Sequence, residues 1–222
     1  DVIVTAAHED QLANRLEQLF SIFETLGLRL KRSKCVFNKK SVEFLGFRVS
    51  GDGISPLESK VDAIKKAPLP KNKKELQAFL GLINFYNMFL KDKAAIAEPL
   101  HRLLDKNVQF NWTNEHTVVV EELKNLISSD QCLTHYDLNL PLFLSSDCSS
   151  YGLGSVLSHQ MKDGTERPIA YFSRTLSKAE RNYSQIDREA TALIAGVRKF
   201  HTYLYGRKCT LITDHKPLLA IL

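Results

Sequence analysis

The chain has 222 residues, 44% hydrophobic and 25% charged, with a formal net charge of +5, a length and balance that suit one large or two small globular domains. No run of about 18 apolar residues is present, so no bilayer-spanning helix and no membrane partner is expected, and DVIVTAAHED lacks the basic leader of a secretory signal. Cys35, Cys132, Cys148 and Cys209 form no C-x-x-C pair, and the seven histidines show no H-x-x-x-H spacing, so zinc is not expected; buried free thiols and an intracellular, cytoplasmic or nuclear setting are.

In chain order, Asp1-Val-Ile-Val-Thr5 is a β-branched run with no turn before it, which reads as the inside of a strand and the chain as a fragment. His8 to Leu26 places Leu12, Leu16, Leu19, Phe20 and Phe23 at helical spacing, with Gly27 as its terminator. Leu28 to Ile54 reads as short strands, Val42, Phe44 and Phe47 among them, with a turn at Gly51-Asp52-Gly53 and Pro56 closing the unit. From Arg29 to Lys74 there are 13 Lys or Arg against 4 Asp or Glu. That local excess suits a nucleic-acid footprint or, equally, a solvated surface.

After Pro68 and Pro70, KNKKELQAFLGLINFYNMFL predicts an amphipathic helix through Leu76, Phe79, Leu80, Ile83, Tyr86 and Leu90. A short helix is expected over Ala94 to Leu104, and a third, capped by Thr113 or Asn114, to about Ile127. From Leu140 the pattern turns to strands: PLFLSSD, GLGSVLSHQ and RPIAYFSRTL. A capping box at Ser177 and Glu180, then Ser184, introduces a long helix from about Ile186 to Leu204, ending near Gly206 before a last strand, KCTLITD. The order β-β-β-α-β requires the last strand to return beside the first in a mixed sheet with a parallel pair.

Three carboxylates fall where this topology can gather them: Asp147 ending the first strand, Glu189 in the long helix, and Asp214 ending the last strand. A strand-terminal Asp is by itself usually a turn residue. Glu189 falls on the margin of an apolar arc made by Ile186, Ala190, Leu193, Val197, Phe200 and Leu204, with Asp187 on the opposite margin. Clustered carboxylates repel and are tolerated when a hard divalent cation neutralises them, which points to Mg2+ or Mn2+ and to phosphodiester hydrolysis.

The segments FLSSDCSSYGLGSVLSHQ and RPIAYFSRTLSKAERNYSQIDREATALIAGVRKFHTYLYGRKCTLITDHKPL resemble the ribonuclease H domain of gypsy-type retrotransposon polyproteins. The resemblance implies that Asp147, Glu189 (in N-Y-S-x-x-x-x-E) and Asp214 (in T-D-H-K-P-L) bind the catalytic metals. A fourth acidic residue belongs further downstream than Leu222, so weak and metal-demanding activity is expected. LRLKRSKCVFNKKSVEFLGFRVSGDGISP resembles the end of a polymerase palm with its primer-gripping hairpin, and PKNKKELQAFLGLINFYNMFL the thumb. Asp1 then matches the second aspartate of a Y-x-D-D motif and remains as a metal ligand of the polymerase. The implied fold is α+β and α/β: residues 1–56 the end of the palm, 57–111 the thumb and connection, and 112–222 a truncated ribonuclease H-like mixed sheet with a crossover helix.

The implied partners are an RNA/DNA hybrid and a primer-template duplex, contacted by Lys71, Lys73, Lys74, Phe44, Leu45 and Gly46. The missing N-terminal polymerase and C-terminal ribonuclease H segments of the parent are further partners, and a dimer is left open. Two departures from the family pattern are Ser146-Asp147-Cys148, where T-D-A is more usual, and Gly196, which should cost about 1 kcal/mol against alanine inside a helix and soften it near Glu189. A metal-dependent hybrid endonuclease is the leading reading. A catalytically inactive nucleic-acid-binding remnant and a protein-binding scaffold are the alternatives, and Mg2+-dependent hybrid cleavage separates the first from the second.

Overall fold

Contacts group the chain into two units, Asp1–Gly51 and Asp52–Leu222, in a computed structural model that describes residues 1–129 and 132–220, without the side chains of Leu219 and Ala220. Ile221 and Leu222, the end of the expected ribonuclease H segment, lie outside the described residues.

In the first unit, Asp1–Thr5 forms no strand, because a strand needs a hydrogen-bonded neighbour and none is supplied among the described residues. Helix α1 (Glu9–Thr25) has no fully buried residue; Leu12, Leu16, Leu19 and Phe23 are half-buried. As expected, Gly27 ends it, at φ 66°, with Leu28 N–H donating to the Phe23 carbonyl at 2.8 Å. Strands β1 (Ser41–Phe44) and β2 (Phe47–Ser50) form an antiparallel hairpin in the register Ser41↔Ser50 to Phe44↔Phe47. Its turn is Leu45-Gly46, at φ 49° and 88°. This is a two-residue turn of the kind whose twist matches the strands; the turn expected at Gly51-Asp52-Gly53 is present as well, as a bend between the end of β2 at Ser50 and residue 54.

The second unit begins before Pro56, with β3 (Ile54–Pro56), where Ile54 bridges Leu133. Helix α2 (Glu58–Lys65), absent from the sequence reading, buries only Ile64, too little periodicity to be recognised. Helix α3 (Lys73–Phe85) is capped by the Asn72 side chain, which accepts from Glu75 N–H, and buries Leu76, Phe79, Leu80 and Ile83. It stops at Phe85, and a turn of 3-10 helix (Asn87–Phe89) carries the rest of the apolar run. The single helix expected over Ala94 to Leu104 is two short ones, α4 (Lys93–Ile96) and α5 (Glu98–Arg102), since Pro99 can occupy only a first turn. Helix α6 (Asn114–Ser128) is capped by Thr113, with His116 in the place usually taken by Glu or Gln.

The sheet follows as β4 (Leu142–Cys148), β5 (Gly152–Gln160) and β6 (Glu166–Thr175), then α7 (Gln185–Lys199), α8 (His201–Leu204) and β7 (Cys209–Ile212). The reciprocal Ser177–Glu180 hydrogen bonds form just before a 3-10 turn (Glu180–Asn182) and not at the start of the long helix, and Ser184 caps α7 by accepting from Asp187 N–H. The expected long helix is interrupted at Phe200, where ψ reaches 15°. Strand order is β6-β5-β4-β7, antiparallel except for β7, which runs parallel to β4 from Leu142↔Cys209 to Ser145↔Ile212. The mixed sheet with a parallel pair is therefore as the sequence implied.

Residues 57–111 do not form a unit of their own. Helix α4 packs on β5 and β6, α5 and α2 pack on α6, and Met88 packs against the sheet core of Leu142, Leu144, Leu157, Ile169, Ala170 and Phe200. A shared core joins the helical segment to the sheet.

Candidate metal centre

The parallel pairing of β4 and β7 ends at Ser145↔Ile212, and Asp147 and Asp214 each lie two residues beyond it. Because side chains alternate with period two, equal offsets along neighbouring parallel strands bring the two carboxylates to the same sheet edge. Glu189 comes from the second turn of α7, which packs on β4 and β5. One ligand oxygen from each of Asp147, Glu189 and Asp214 lies within 4.8 Å of the others.

Helix α7 meets the sheet along Glu189, Ala192, Leu193 and Gly196. Glu189 is therefore at the centre of the buried stripe, not on its margin, while Val197 is exposed and Ile186 and Ala190 are half-buried. Close approach of the helix selects small residues over large apolar ones. A Cβ at Gly196 would stand 2.7 Å from Ser155 Oγ and 3.1 Å from both Ser155 Cβ and Ser146 Oγ. Gly196 thus permits the packing that seats Glu189, which corrects the expectation that it merely softens the helix. The serine at 146 has a place too, its hydroxyl donating to Ser155 Oγ at 2.9 Å beneath the helix.

Glu189 is 3% exposed. Its Oε1 accepts from Gln185 Nε2 at 2.6 Å, and its Oε2 is buried with no hydrogen-bond partner among the described residues. Burial pushes its carboxyl above the ordinary range, and the charges of Asp147 and then Asp214 push the same way, against smaller opposing effects of Gln185 and His215. Asp147 and Asp214 are both exposed at the rim, and Asp147 Oδ1 accepts from Cys148 N–H at 2.8 Å. None of the three forms a salt bridge among the described residues. A buried carboxylate oxygen with no donor, facing two more carboxylates, fits a hard divalent cation.

Residues 112–211 match the family described as an RNase H-like domain found in reverse transcriptase. Along 99% of its length the chain is 30% identical to the transposon Tf2-3 polyprotein and 29% identical to the transposon Tf2-7 polyprotein, both of Schizosaccharomyces pombe. Residues 112–211 are thus similar to the RNase H-like domain found in reverse transcriptases, in a chain that resembles transposon polyproteins along its length. The chain spans 17% of the length of these relatives. Among solved structures, a foamy viral protease-reverse transcriptase in complex with double-stranded DNA superposes with a TM-score of 0.81 at 25% identity, covering 98% of this chain and 39% of that one. The foamy viral protease-reverse transcriptase in complex with RNA/DNA hybrid gives 0.80 at 24% identity, covering 96% of this chain and 30% of that one.

Other sequence-derived residues are placed apart from this cluster. Asp1 is exposed and joins no group of three ligand-type residues among those described. Phe44, Leu45 and Gly46 form the tip of the first unit's hairpin, with Leu45 exposed. In the second unit Lys71 and Lys74 are exposed, whereas Lys73 is half-buried and its Nζ donates to the Asp105 carbonyl at 2.6 Å. All four cysteines are free, but only Cys148 is buried, and Cys132 is exposed. Burial pushes the Cys148 thiol up to about 11, with the Glu189 charge adding to it, which favours the less reactive thiol over the thiolate. The sequence reading passed over Gln185, although it lies one turn before Glu189, a spacing at which helical side chains meet.

Proposed function

We propose that Asp147, Glu189 and Asp214 form a Mg2+ or Mn2+ centre that hydrolyses the RNA strand of RNA/DNA hybrids, within a polyprotein whose other parts supply RNA-directed DNA polymerase activity. The observation that carries this reading is the unpartnered, buried Glu189 Oε2 within reach of two rim aspartates. Asp147, Glu189 and Asp214 would hold the divalent ions, which when bound would lower the pKa of a water and stabilise the leaving oxygen in phosphodiester hydrolysis. Glu189 fixes its part of the site from inside the fold, while Asp147 and Asp214 present their oxygens at the solvent edge, where a polymeric substrate has access. The complexes named for the foamy viral relatives, with double-stranded DNA and with RNA/DNA hybrid, favour nucleic acid as the partner. Lys71 and Lys74, with the Phe44-Leu45-Gly46 tip, are the proposed duplex contacts, and Asp1 is the proposed remnant of the polymerase metal site.

The test is cleavage of a labelled RNA/DNA hybrid in Mg2+, in Mn2+ and in chelator, with Asp147→Asn as control. Cation-dependent cutting that disappears in Asp147→Asn supports the centre; cutting that survives both chelator and Asp147→Asn overturns it. The second reading, a binding remnant without catalysis, is favoured by the cluster's holding three carboxylates and no fourth among the described residues. It predicts hybrid binding with no cleavage in either cation.

A further inference from the structure

Two side chains that no family motif singled out meet the inner carboxylate of the cluster. Gln185, Arg188 and Glu189 occupy positions i, i+3 and i+4 of α7, so one face of its first turns brings them together. Arg188 Nη2 donates to Gln185 Oε1 at 2.6 Å, and Gln185 Nε2 donates to Glu189 Oε1 at 2.6 Å. The first bond decides the second. With its carbonyl held by the guanidinium, the Gln185 amide can only present its NH2 to Glu189; turned over, it would set oxygen against oxygen. The result is a carboxylate with one oxygen tied to the helix and the other, Oε2, buried and left without a partner. The tie is neutral, so it fixes the orientation of the carboxylate without cancelling the charge that a cation needs.

We infer that Arg188 and Gln185 act as a positioning relay for Glu189: Arg188 sets the Gln185 amide, and Gln185 turns Glu189 Oε2 toward the divalent cation. This inference rests on the metal centre proposed above. It makes a prediction whose sign is opposite to that of plain electrostatics. Arg188 is a positive charge close to Glu189, and removing a positive charge near a cation site should strengthen cation binding. The relay requires the reverse, because loss of Arg188 frees the Gln185 amide and with it Glu189.

The test is Mn2+ binding to the full 222-residue chain, followed by electron paramagnetic resonance of the free ion, with circular dichroism confirming that each variant is folded. Gln185→Leu and Arg188→Ala should each weaken Mn2+ binding about tenfold, the usual scale for partners that orient a ligand. Arg188→Lys, which retains a donor for Gln185 Oε1, should recover most of the loss. In the Gln185→Leu background, Arg188→Ala should cause no further weakening, since the relay is already broken. Tighter binding in Arg188→Ala, or full affinity in Gln185→Leu, overturns the relay. Asp147→Asn separates this from the proposal beneath it: unaltered Mn2+ binding in that variant refutes the metal centre itself, whereas loss there with unaltered Gln185→Leu refutes only the relay.

Discussion

Gly196→Ala is the sharpest probe of how α7 is seated. At an exposed helix position the change should stabilise by about 1 kcal/mol, because glycine forgoes that much helix propensity. Here the added methyl would meet Ser155 Oγ at 2.7 Å, and Ser155 Cβ and Ser146 Oγ at 3.1 Å. The hydroxyl can rotate, but Ser155 Cβ belongs to a central strand paired on both sides, so the helix must lift by a few tenths of an ångström. Overpacking of this kind costs about 1–3 kcal/mol, which outweighs the propensity gain and leaves a net loss of about 1 kcal/mol. For a unit of this size that is roughly 2–4 °C in Tm. Glu189 is seven residues away on the same face of the helix, so Mn2+ affinity should fall as well. Thermal unfolding and Mn2+ titration of Gly196→Ala, Ser155→Ala and the double variant test the argument. The double should show a favourable coupling of about 0.5–1 kcal/mol, because removing Ser155 Oγ relieves the closest approach. A Tm that rises in Gly196→Ala, with no coupling to Ser155, would refute the tight seating of helix on sheet.

Three further outcomes are expected. Glu180 is held down to about 2, first by its two hydrogen bonds to Arg174 and then by Ser177 N–H; a depressed carboxylate stabilises the fold above its ordinary 4.5 and loses that contribution as pH falls toward 2. With Arg174 37% exposed, screening reduces the effect to about 1–2 kcal/mol, so Glu180→Gln should lower Tm at neutral pH and converge with the unaltered chain near pH 2. Glu189 has the opposite sign: its raised carboxyl makes the fold less stable as pH rises past the ordinary 4.5. Glu189→Gln should therefore raise Tm at neutral pH without cations and abolish the further rise that Mg2+ gives, and a Mg2+ effect equal to that of the unaltered chain would contradict the assignment. Replacing Lys71 and Lys74 by alanine should reduce the slope of log affinity for hybrid against log salt by nearly one unit for each phosphate that is no longer neutralised, while Lys73→Ala should change it less, because its ammonium is tied to the Asp105 carbonyl; equal slopes throughout would mean that these lysines only solvate the surface.

The sequence by itself determined the order of elements from β4 to β7 and pointed to the three carboxylates that this order brings together. Alternation in LFLSSD and GLGSVLSHQ, the Ser184 cap and the β-β-β-α-β order are local or topological signals. They suffice to put Asp147 and Asp214 at the ends of neighbouring parallel strands, since parallel return is forced once a helix separates them. Tertiary structure alone decided how Glu189 is presented. Apolar periodicity aimed α7 along Val197 and Ile186, but the sheet is met through Ala192 and Gly196, and only the distance between helix and strands reveals that small side chains carry the packing. The same holds for the boundary at Gly51: Pro56 is local punctuation, whereas a unit is defined by which segments share a core, and α4 and Met88 pack on the sheet within the second unit. Sequence patterns record what each residue prefers along the chain. Which oxygen of Glu189 is tied and which is left free follows from Gln185 and Arg188 meeting it across one turn of helix, a relation between side chains that appears only once the helix is built and packed.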